Sequence, residues 1–297
     1  MELIYKKNID KNKWDDCVSR NANGLIYAST VYMDAMCESY AGLVFGDYEA
    51  VFPLPFKTKY FIKYLYHPPF IQQLGLIGNT LVSAPAILQK IKKYFNYGDV
   101  MLNYENTAFT TGSTAHVNLI LHLNKSYNNI KKGYKNDVLN NVKIAEKAGL
   151  IYSSSANINE AVDVFEAYYS NRLKTITADN YITLKRLFNN LKDQGRCMVR
   201  VASLKNQVVA YAILLKDDKR VYNIMNTVTD IGRTVSANHF LLNAIIKEFS
   251  EQPLVFDFEG SDVPGVKSFY EKFGAVKQPY FIHHFNELPW PLKLFKP

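Results

Sequence analysis

The chain has 297 residues, a formal net charge of +8 and an apolar fraction of 48%, with 14% aromatic residues. This composition can bury one large core or two ordinary ones, and it excludes an intrinsically disordered chain. No apolar run is long enough to cross a bilayer, the N-terminus lacks the apolar segment of a secretory signal, and three scattered cysteines fit a reducing compartment. We therefore expect a cytoplasmic protein.

Hydrophobic periodicity predicts alternating helices and strands in the first half of the chain. Apolar residues spaced by three to four positions predict helices at 10–20, 29–40 and 84–94. Alternation with a period of two predicts strands at 48–56, 60–66, 70–77, 99–104 and 116–123. Prolines in several of these strands mark edges or bends, because proline donates no ladder hydrogen bond.

The segment 125–147 is rich in lysine and is predicted to form one long helix from Ser126 to Lys147. It contains six lysines and only two acidic residues. They could attract tRNA or another polyanion, with Tyr127 and Tyr134 available to stack on bases. A solvated lysine-rich face would need no ligand, so both interpretations stay open.

The second half repeats the order of the first. Helices are predicted at 158–172, 178–192, 236–249 and 263–273, and strands at 150–153, 197–204, 207–216, 221–226, 254–258 and 280–285. In each half a hairpin region precedes a helix, a hydrophobic strand and a closing strand, at 116–123 and 280–285 respectively. The sequence therefore predicts a duplicated α/β unit with mixed sheets. We place the domains at 1–149, including the lysine-rich helix, and 150–297.

A turn in the second half is a candidate anion-binding site. It precedes the helix predicted at 236–249, whose first-turn amides and dipole favour a negative ligand. Gly232 lets the backbone approach a phosphate, and Arg233 can add a charge-assisted hydrogen bond. The same residues also fit a plain strand–helix turn with Ser236 as the N-cap.

The stretch from Gln207 to Ala275 resembles the order of elements in GNAT acyltransferases. SFYEKFGA at 268–275 is similar to the late helix of many GNAT proteins. FDFEGSDVPGVKSFYEKFGA at 256–275, together with KIAEKAGL at 143–150, resembles the Fem-like acyltransferases, which contain two GNAT-like domains and a basic helix before the second. The resemblance implies a tandem GNAT-like fold over the whole chain.

The same resemblance implies N-acyl transfer from acyl-CoA, such as acetyl-CoA, to an amine acceptor by direct attack in a ternary complex. It assigns the donor's phosphates to six residues: Gly232, Arg233, Thr234, Ser236, Ala237 and Asn238. The turn departs from the family pattern because it holds one glycine and adds the carboxylate of Asp230. Two alternatives stay open: Fem-like transfer of an aminoacyl group from tRNA to a cell-wall precursor, and a degenerate GNAT-fold protein that binds without catalysis.

Acyl transfer to an amine requires a base for the amine, donors for the oxyanion and an acid for the leaving group. Glu259, at the end of a predicted strand, is the candidate base ahead of Asp257, and a helix cap or ion pair is its alternative role. Tyr270 matches the late-helix tyrosine that in the family can protonate a leaving thiolate, although an amphipathic helix also buries tyrosines. Ser261 and Asp262 are expected as helix caps.

Four further residues are candidates for substrate binding. Tyr222 and Asn226 lie on the strand that leads to the turn. Gln72 and Gln73 lie in the segment 67–79, which resembles a stretch of the Fem-like group and also fits an edge strand with a bulge.

The histidines and cysteines lack metal-ligand spacing, so no metal is expected. His239 could contact a phosphate or could be a packed histidine of the core. No Walker A, Rossmann or nucleophile-elbow motif is present, which argues against a nicotinamide enzyme.

Overall fold

The computed structural model describes residues 1–260 and 262–295. The chain divides into two compact units. Unit 1 comprises Met1–His116 and the stretch that begins at Pro279, and unit 2 comprises Val117–Gln278.

This division corrects the domain boundary expected at Gly149. The lysine-rich segment was assigned to the first domain, yet Val138, Val142 and Ala145 of that segment are buried in the core of unit 2. The segment belongs to unit 2 because that core covers its apolar face.

The described residues form strands and helices in the following order. The strands are Glu2–Tyr5 (β1), Ser39–Phe45 (β2), Ala50–Lys59 (β3), Ile62–Leu65 (β4), Ile77–Gly78 (β5), Tyr97–Leu102 (β6), Thr114–His116 (β7), Leu119–His122 (β8), Ile151–Ser155 (β9), Cys197–Leu204 (β10), Gln207–Lys216 (β11), Arg220–Val228 (β12), Val255–Asp257 (β13), Val276–Lys277 (β14) and Tyr280–Asn286 (β15). The α-helices are Lys11–Arg20 (α1), Thr30–Met36 (α2), Ala84–Lys92 (α3), Tyr127–Lys131 (α4), Asn136–Lys147 (α5), Ile158–Tyr169 (α6), Ala178–Asp193 (α7), Asp230–Thr234 (α8), Ala237–Phe249 (α9) and Pro264–Glu271 (α10).

Most predicted elements are confirmed, and four predictions are corrected. The region 29–40 contains α2 and the start of β2, and most of 70–77 is irregular because only its end pairs, in β5. The predicted strand 116–123 is divided between β7 and β8, which lie in different sheets. The predicted long basic helix is interrupted between α4 and α5, where the amide of Lys135 donates to the carbonyl of Lys272 (2.9 Å) instead of to its own helix.

Unit 1 is built on one mixed sheet. Its strands lie in the order β1-β2-β3-β4-β6-β15-β7, and β5 pairs with β3. The β4–β6 pairing is parallel and the others are antiparallel. Helix α3 packs on this sheet through Ile87 and Ile91, which are fully buried.

Unit 2 is a sheet covered on both faces. Its strands lie in the order β14-β8-β13-β12-β11-β10-β9. One face packs against α5 and α9 through Ala210, Ala212 and Leu214 of β11. On the other face the hydroxyl of Tyr211 donates to Glu160 of α6 (2.8 Å), as expected because successive residues of a strand point to opposite faces. The predicted mixed α/β architecture is therefore confirmed.

The two units exchange the closing strands that the duplicated pattern assigned to them. In unit 1 the strand that follows β6 in the sheet order is β15, from the later part of the chain. In unit 2 the strand beside β13 is β8, from the first half of the chain. Both halves of the chain therefore contain the repeated order of elements, but the closing strand of each half pairs in the sheet that the other half builds.

Candidate functional site

The parallel strands β12 and β13 pair over only three positions, Arg220–Tyr222 with Val255–Asp257. β12 then continues to Val228, whereas β13 ends at Asp257. The chain after β13 is therefore free to leave the plane of the sheet beside the second half of β12. The polar residues of interest lie at this divergence.

A bulge in β12 places two asparagines on one face. Leu214 pairs with Asn223 and Ala212 pairs with Asn226, so Ile224 is an extra residue in the ladder. Paired residues share a face of the sheet, and Leu214 and Ala212 both face the core that contains α9. Asn223 and Asn226 therefore face that core together, although an odd spacing would normally separate them.

The Nδ2 atoms of Asn223 and Asn226 are buried and make no hydrogen bond within the part of the chain that the structure describes. The Oδ1 of Asn223 is likewise unpaired. Buried polar atoms are nearly always paired in proteins, so unpaired amides indicate a ligand, water or catalytic role.

The loop after β13 is held by a buried charge network. The guanidinium of Arg220 donates to Asp257 at 2.7 Å, and the side-chain amide of Asn118 donates to the same carboxylate at 3.1 Å. The other oxygen of Asp257 accepts the amide of Glu259 at 3.0 Å. Because Arg220 and Asp257 are both buried, this ion pair fixes the loop on which Glu259 is carried.

Gly260 completes this support. Its amide donates to the Oδ1 of Asn118 at 2.8 Å. A Cβ at Gly260 would lie 2.5 Å from the Cα of Asn118, so only glycine fits. The loop therefore lies directly against the chain that enters β8.

Glu259 has a backbone φ of +56°, in the left-handed region that non-glycine residues rarely adopt. This conformation breaks the alternation of the strand, so the side chain does not follow that of Asp257. Its Oε1 is buried without a hydrogen-bond partner among residues 1–260 and 262–295. Burial raises the pKa of Glu259 to about 8, because nothing compensates the charged form for the loss of water.

Tyr270 of α10 is buried beside this carboxyl group. Its ring centroid lies 4.7 Å from that of Phe258. Burial raises the pKa of Tyr270 far above its usual value, and the nearby Tyr169 and Glu259 raise it further. Asn223 lies near enough to lower that pKa slightly, although its amide does not reach hydrogen-bonding geometry. The structure thus brings together Glu259 and Tyr270, and it adds Asn223.

The predicted phosphate turn has a different form from the one expected. Residues 230–234 form the short helix α8, capped by Thr229, whose hydroxyl accepts the amide of Gly232 at 3.1 Å. A Cβ on Gly232 would lie 2.3 Å from the carbonyl oxygen of Val209. Gly232 is therefore required for packing against β11, and its amide is already occupied.

The other predicted phosphate ligands lie around the start of α9. Ser236 stands at the N-cap with φ +57° but directs its hydroxyl to Asn141 (2.7 Å), so it does not cap the helix. The first-turn amides of a helix have no intrahelical acceptor, which leaves those of Ala237 and Asn238 available. The Oδ1 of Asn238 is buried and unpaired within the described chain. Arg233 is half exposed.

The remaining residues of the predicted turn have local roles. The Thr234 hydroxyl donates to the carbonyl of Ile231 at 2.8 Å. The carboxylate of Asp230 is exposed, and the Nε of Arg233 lies 3.9 Å from one of its oxygens.

Three of the predicted substrate-binding residues have hydrogen-bond partners within their own unit. Tyr222 is fully buried, and its hydroxyl donates to Asp217 at 2.7 Å. Gln73 is buried in unit 1, where it donates to Gln72 and accepts the amide of Tyr104. These contacts support the local chain, and Gln72 and Gln73 belong to a different unit from Glu259.

The predicted RNA-stacking tyrosines are engaged in packing. Tyr134 is buried, with its ring edge-on to Phe273 at 5.2 Å. The hydroxyl of Tyr127 donates to Asn243 at 2.8 Å, and its ring lies 5.6 Å from the Nζ of Lys131. The Tyr134 ring is therefore enclosed in the core and is not available to stack on a base in this conformation, whereas Tyr127 is half-buried.

Two roles were predicted for His239, and the structure shows it as a packed histidine and not as an exposed one. Its ring lies edge-on to Phe269 at 4.9 Å, and burial lowers its pKa. The carboxylate of Asp262 accepts the amide of Val117 at 3.1 Å, and Ser261 lies outside the described residues. Among residues 1–260 and 262–295, no group of three or more His, Cys, Asp or Glu side chains could hold a metal ion. No helix in the described chain is long and apolar enough to cross a membrane.

A family model described as an acetyltransferase (GNAT) domain matches residues 134–268. A search of curated proteins gives no match. Among solved structures the chain is similar to FemX, with 12% identity, 100% coverage of both chains and a TM-score of 0.71. It is also similar to the C-terminal domain of a putative lysylphosphatidylglycerol synthetase from Agrobacterium fabrum (12% identity, 96% of this chain and 94% of that chain, TM-score 0.57). A tandem GNAT protein from the clavulanic acid biosynthesis pathway gives 12% identity, 97% and 99% coverage and a TM-score of 0.52.

At these identities the solved structures establish the fold, and the family match identifies the domain. The matched residues contain β12, the loop of Glu259 and most of α10. Residues 134–268 thus match a GNAT acetyltransferase domain, and the whole chain has a fold similar to those of FemX and a tandem GNAT protein. The match supports acyl transfer as its general activity.

Proposed function

We propose that this protein transfers an acyl group to an amine, with Glu259 as the base. The observation that carries the proposal is a buried carboxyl oxygen without a partner in the described chain, on a residue with left-handed backbone. Both features cost stability, and such costs cluster at functional sites. A pKa of about 8 suits a group that takes and releases a proton near neutral pH.

The proposed step forms a bond from the amine nitrogen to the acyl carbon and breaks the bond from that carbon to the leaving group. Ionised Glu259 accepts the proton that the amine loses. The hydroxyl of Tyr270 stays protonated because burial raises the pKa of Tyr270. It donates its own proton to the leaving sulfur or oxygen. The unpaired amides of Asn223 and Asn226 can donate to the acyl oxygen as negative charge develops.

For the donor, we propose acyl-CoA. The first-turn amides of Ala237 and Asn238, the dipole of α9 and the half-exposed Arg233 would hold its phosphates. The amide of Gly232 cannot take part while it is bonded to Thr229.

A specific observation also favours an aminoacyl-tRNA donor. The turn offers few free amides and places the exposed carboxylate of Asp230 beside Arg233, which weakens a pyrophosphate site. The resemblance to Fem-like transferases implies aminoacyl-tRNA as the donor, and FemX matches over the full length of both chains. An ester of tRNA would react by the same proton transfers.

The catalytic proposal is tested by acetyl transfer to a panel of primary amines with Glu259→Gln and Tyr270→Phe. We expect Glu259→Gln to lower kcat by about 100-fold or more, because a general base typically contributes that much. In the unaltered protein, kcat/KM should fall as pH decreases below about 8, since Glu259 then becomes protonated. Tyr134→Phe is the matched control, because Tyr134 is buried in the same core and its hydroxyl has no partner among the residues that the structure describes.

An activity that survives Glu259→Gln with an unchanged pH profile would refute the assignment of the base. The donor is tested separately by calorimetric titration of acetyl-CoA into the unaltered protein and into Arg233→Ala. Saturable binding that weakens in the variant supports the acyl-CoA donor. Absence of binding at millimolar ligand removes that donor and leaves aminoacyl-tRNA, assayed with charged tRNA, or binding without catalysis.

A further inference from the structure

The β3–β4 hairpin of unit 1 turns through two bulky aromatic residues. Lys59 pairs with Ile62, so Tyr60 and Phe61 form a two-residue turn. Their φ angles are +50° and +66°. Such turns suit the twist of a hairpin, and Asn-Gly adopts them at least cost, whereas bulky residues with positive φ are outliers. The preference of the turn does not account for aromatic residues at these positions.

The same side chains are exposed to an unusual extent. Tyr60 is 84% exposed and Phe61 is 101% exposed. In the C-terminal segment of the same unit, Trp290 is 80% exposed and Leu292 is 42% exposed. We call these four residues the aromatic tip. Large apolar side chains clustered in solvent mark an interaction surface.

The structure joins the two parts of the aromatic tip in one groove. Tyr60 and Leu292 both line a cavity of about 300 Å³, together with Leu288, Tyr64 and Tyr97. Apart from lysine, the lining is aromatic or aliphatic. Tyr60 and Leu292 therefore belong to one apolar groove, and Phe61 and Trp290 are close to them in the sequence.

Cations border this apolar surface. Lys59 lines the groove, and its Nζ lies 5.5 Å from the centre of the Tyr60 ring. Lys293, next to Leu292, is also exposed. Tryptophan and tyrosine rings with lysines around them are the groups that settle at the boundary between acyl chains and headgroups.

We propose that the aromatic tip docks unit 1 on the surface of an anionic membrane. Its lysines match the charge of anionic headgroups, as does the formal charge of +8 on the whole chain. A stable protein interface takes about 20–30 residues from each partner, which the four residues of the aromatic tip do not supply. Separate rings can instead enter the headgroup region one by one. This inference does not depend on the proposed catalytic function.

The test uses the fluorescence of Trp290 in the full-length protein. The chain has two tryptophans, and Trp14 is fully buried, so a change on adding lipid reports on Trp290. We expect a blue shift with vesicles of phosphatidylcholine and phosphatidylglycerol, a smaller one with phosphatidylcholine alone, and reversal by salt. Brominated lipids should quench the shifted emission.

The decisive variant is Tyr60→Asn combined with Phe61→Gly. It places the preferred residues in the same turn, so the hairpin should be at least as stable while both rings are lost. We expect vesicle co-sedimentation to weaken by about tenfold or more. The matched control is Ile151→Ser, which removes an exposed apolar side chain from unit 2 (61% exposed) and should bind as the unaltered protein does.

Three outcomes would overturn the proposal. They are failure of the unaltered protein to bind anionic vesicles at low salt, undiminished binding by the double variant, and equal loss of binding in the Ile151→Ser control. Lipid-free dimerisation that the double variant abolishes, without vesicle binding, would assign the tip to a second copy of the chain instead.

Discussion

At the scale of single residues, Glu259 combines three unfavourable features for one side chain. Its backbone is left-handed, its Oε1 is buried, and that oxygen has no partner in the described chain. The surrounding contacts of Asp257 and Asn118 hold the loop in place despite this cost. Such costs cluster at functional sites, which agrees with the role proposed for Glu259 as the base.

The burial of Glu259 without a partner predicts how the free energy of unfolding of the protein depends on pH. A glutamate ordinarily titrates near 4.5, but folding raises the pKa of Glu259 to about 8. Between these values the folded state keeps a proton that the unfolded state has lost, so this residue lowers the free energy of unfolding as pH rises. We expect Glu259→Gln to stabilise the protein above about pH 8 by on the order of 2–4 kcal/mol. The gain should vanish towards about pH 5.

Chemical denaturation across this pH range provides the measurement. Glu146→Gln is the control, because Glu146 is an exposed glutamate of the same unit and its removal should leave the pH dependence unchanged. A stability difference between Glu259→Gln and the unaltered protein that is constant with pH would contradict the buried, unpaired state of this carboxyl group.

The sequence offered Glu259 and Tyr270 as candidates because a strand end and a family-like helix can be recognised in it, and the structure places the two residues near each other. It offered Tyr222 and Asn226 because both lie on the strand that leads to the turn, and the even spacing between them would place both on one face of a regular strand. The bulge at Ile224 reverses this relation and brings Asn223 to that face instead. A bulge depends on the neighbouring strand, so the sequence of β12 alone could not reveal it.

At the scale of elements, α8 shows how a glycine can be misassigned. Gly232 appeared to permit close approach of a phosphate, but the structure uses it for close approach of β11. Both functions require a missing side chain, so the residue type does not distinguish them.

A pair of glycine substitutions tests this role. Gly232→Ala should destabilise the protein by about 1–3 kcal/mol, because its Cβ would meet the backbone of Val209. Gly265→Ala in α10 is the control, since a Cβ there meets nothing within 4 Å. It should be neutral or stabilise by up to about 1 kcal/mol. Equal effects of the two substitutions in thermal denaturation would refute the packing role of Gly232.

At the scale of the whole molecule, the sequence pattern predicted the repeated order of elements but not the exchange of closing strands. Helix, strand and closing strand recur in both halves because periodicity is a local property. Which sheet a strand joins depends on contacts far along the chain: β15 pairs with β6, and β8 pairs with β13. The boundary predicted at Gly149 failed for this reason.

The exchange predicts an asymmetry between fragments of the chain. Residues 117–278 contain every strand of the second sheet and a core of their own, so this fragment should fold alone with a cooperative thermal transition. Residues 1–116 lack β15, which lies between β6 and β7, and should not fold cooperatively by themselves. Adding a peptide of residues 279–297 to that fragment should restore structure measurable by circular dichroism. Cooperative unfolding of residues 1–116 without the peptide would show that β15 is dispensable for unit 1.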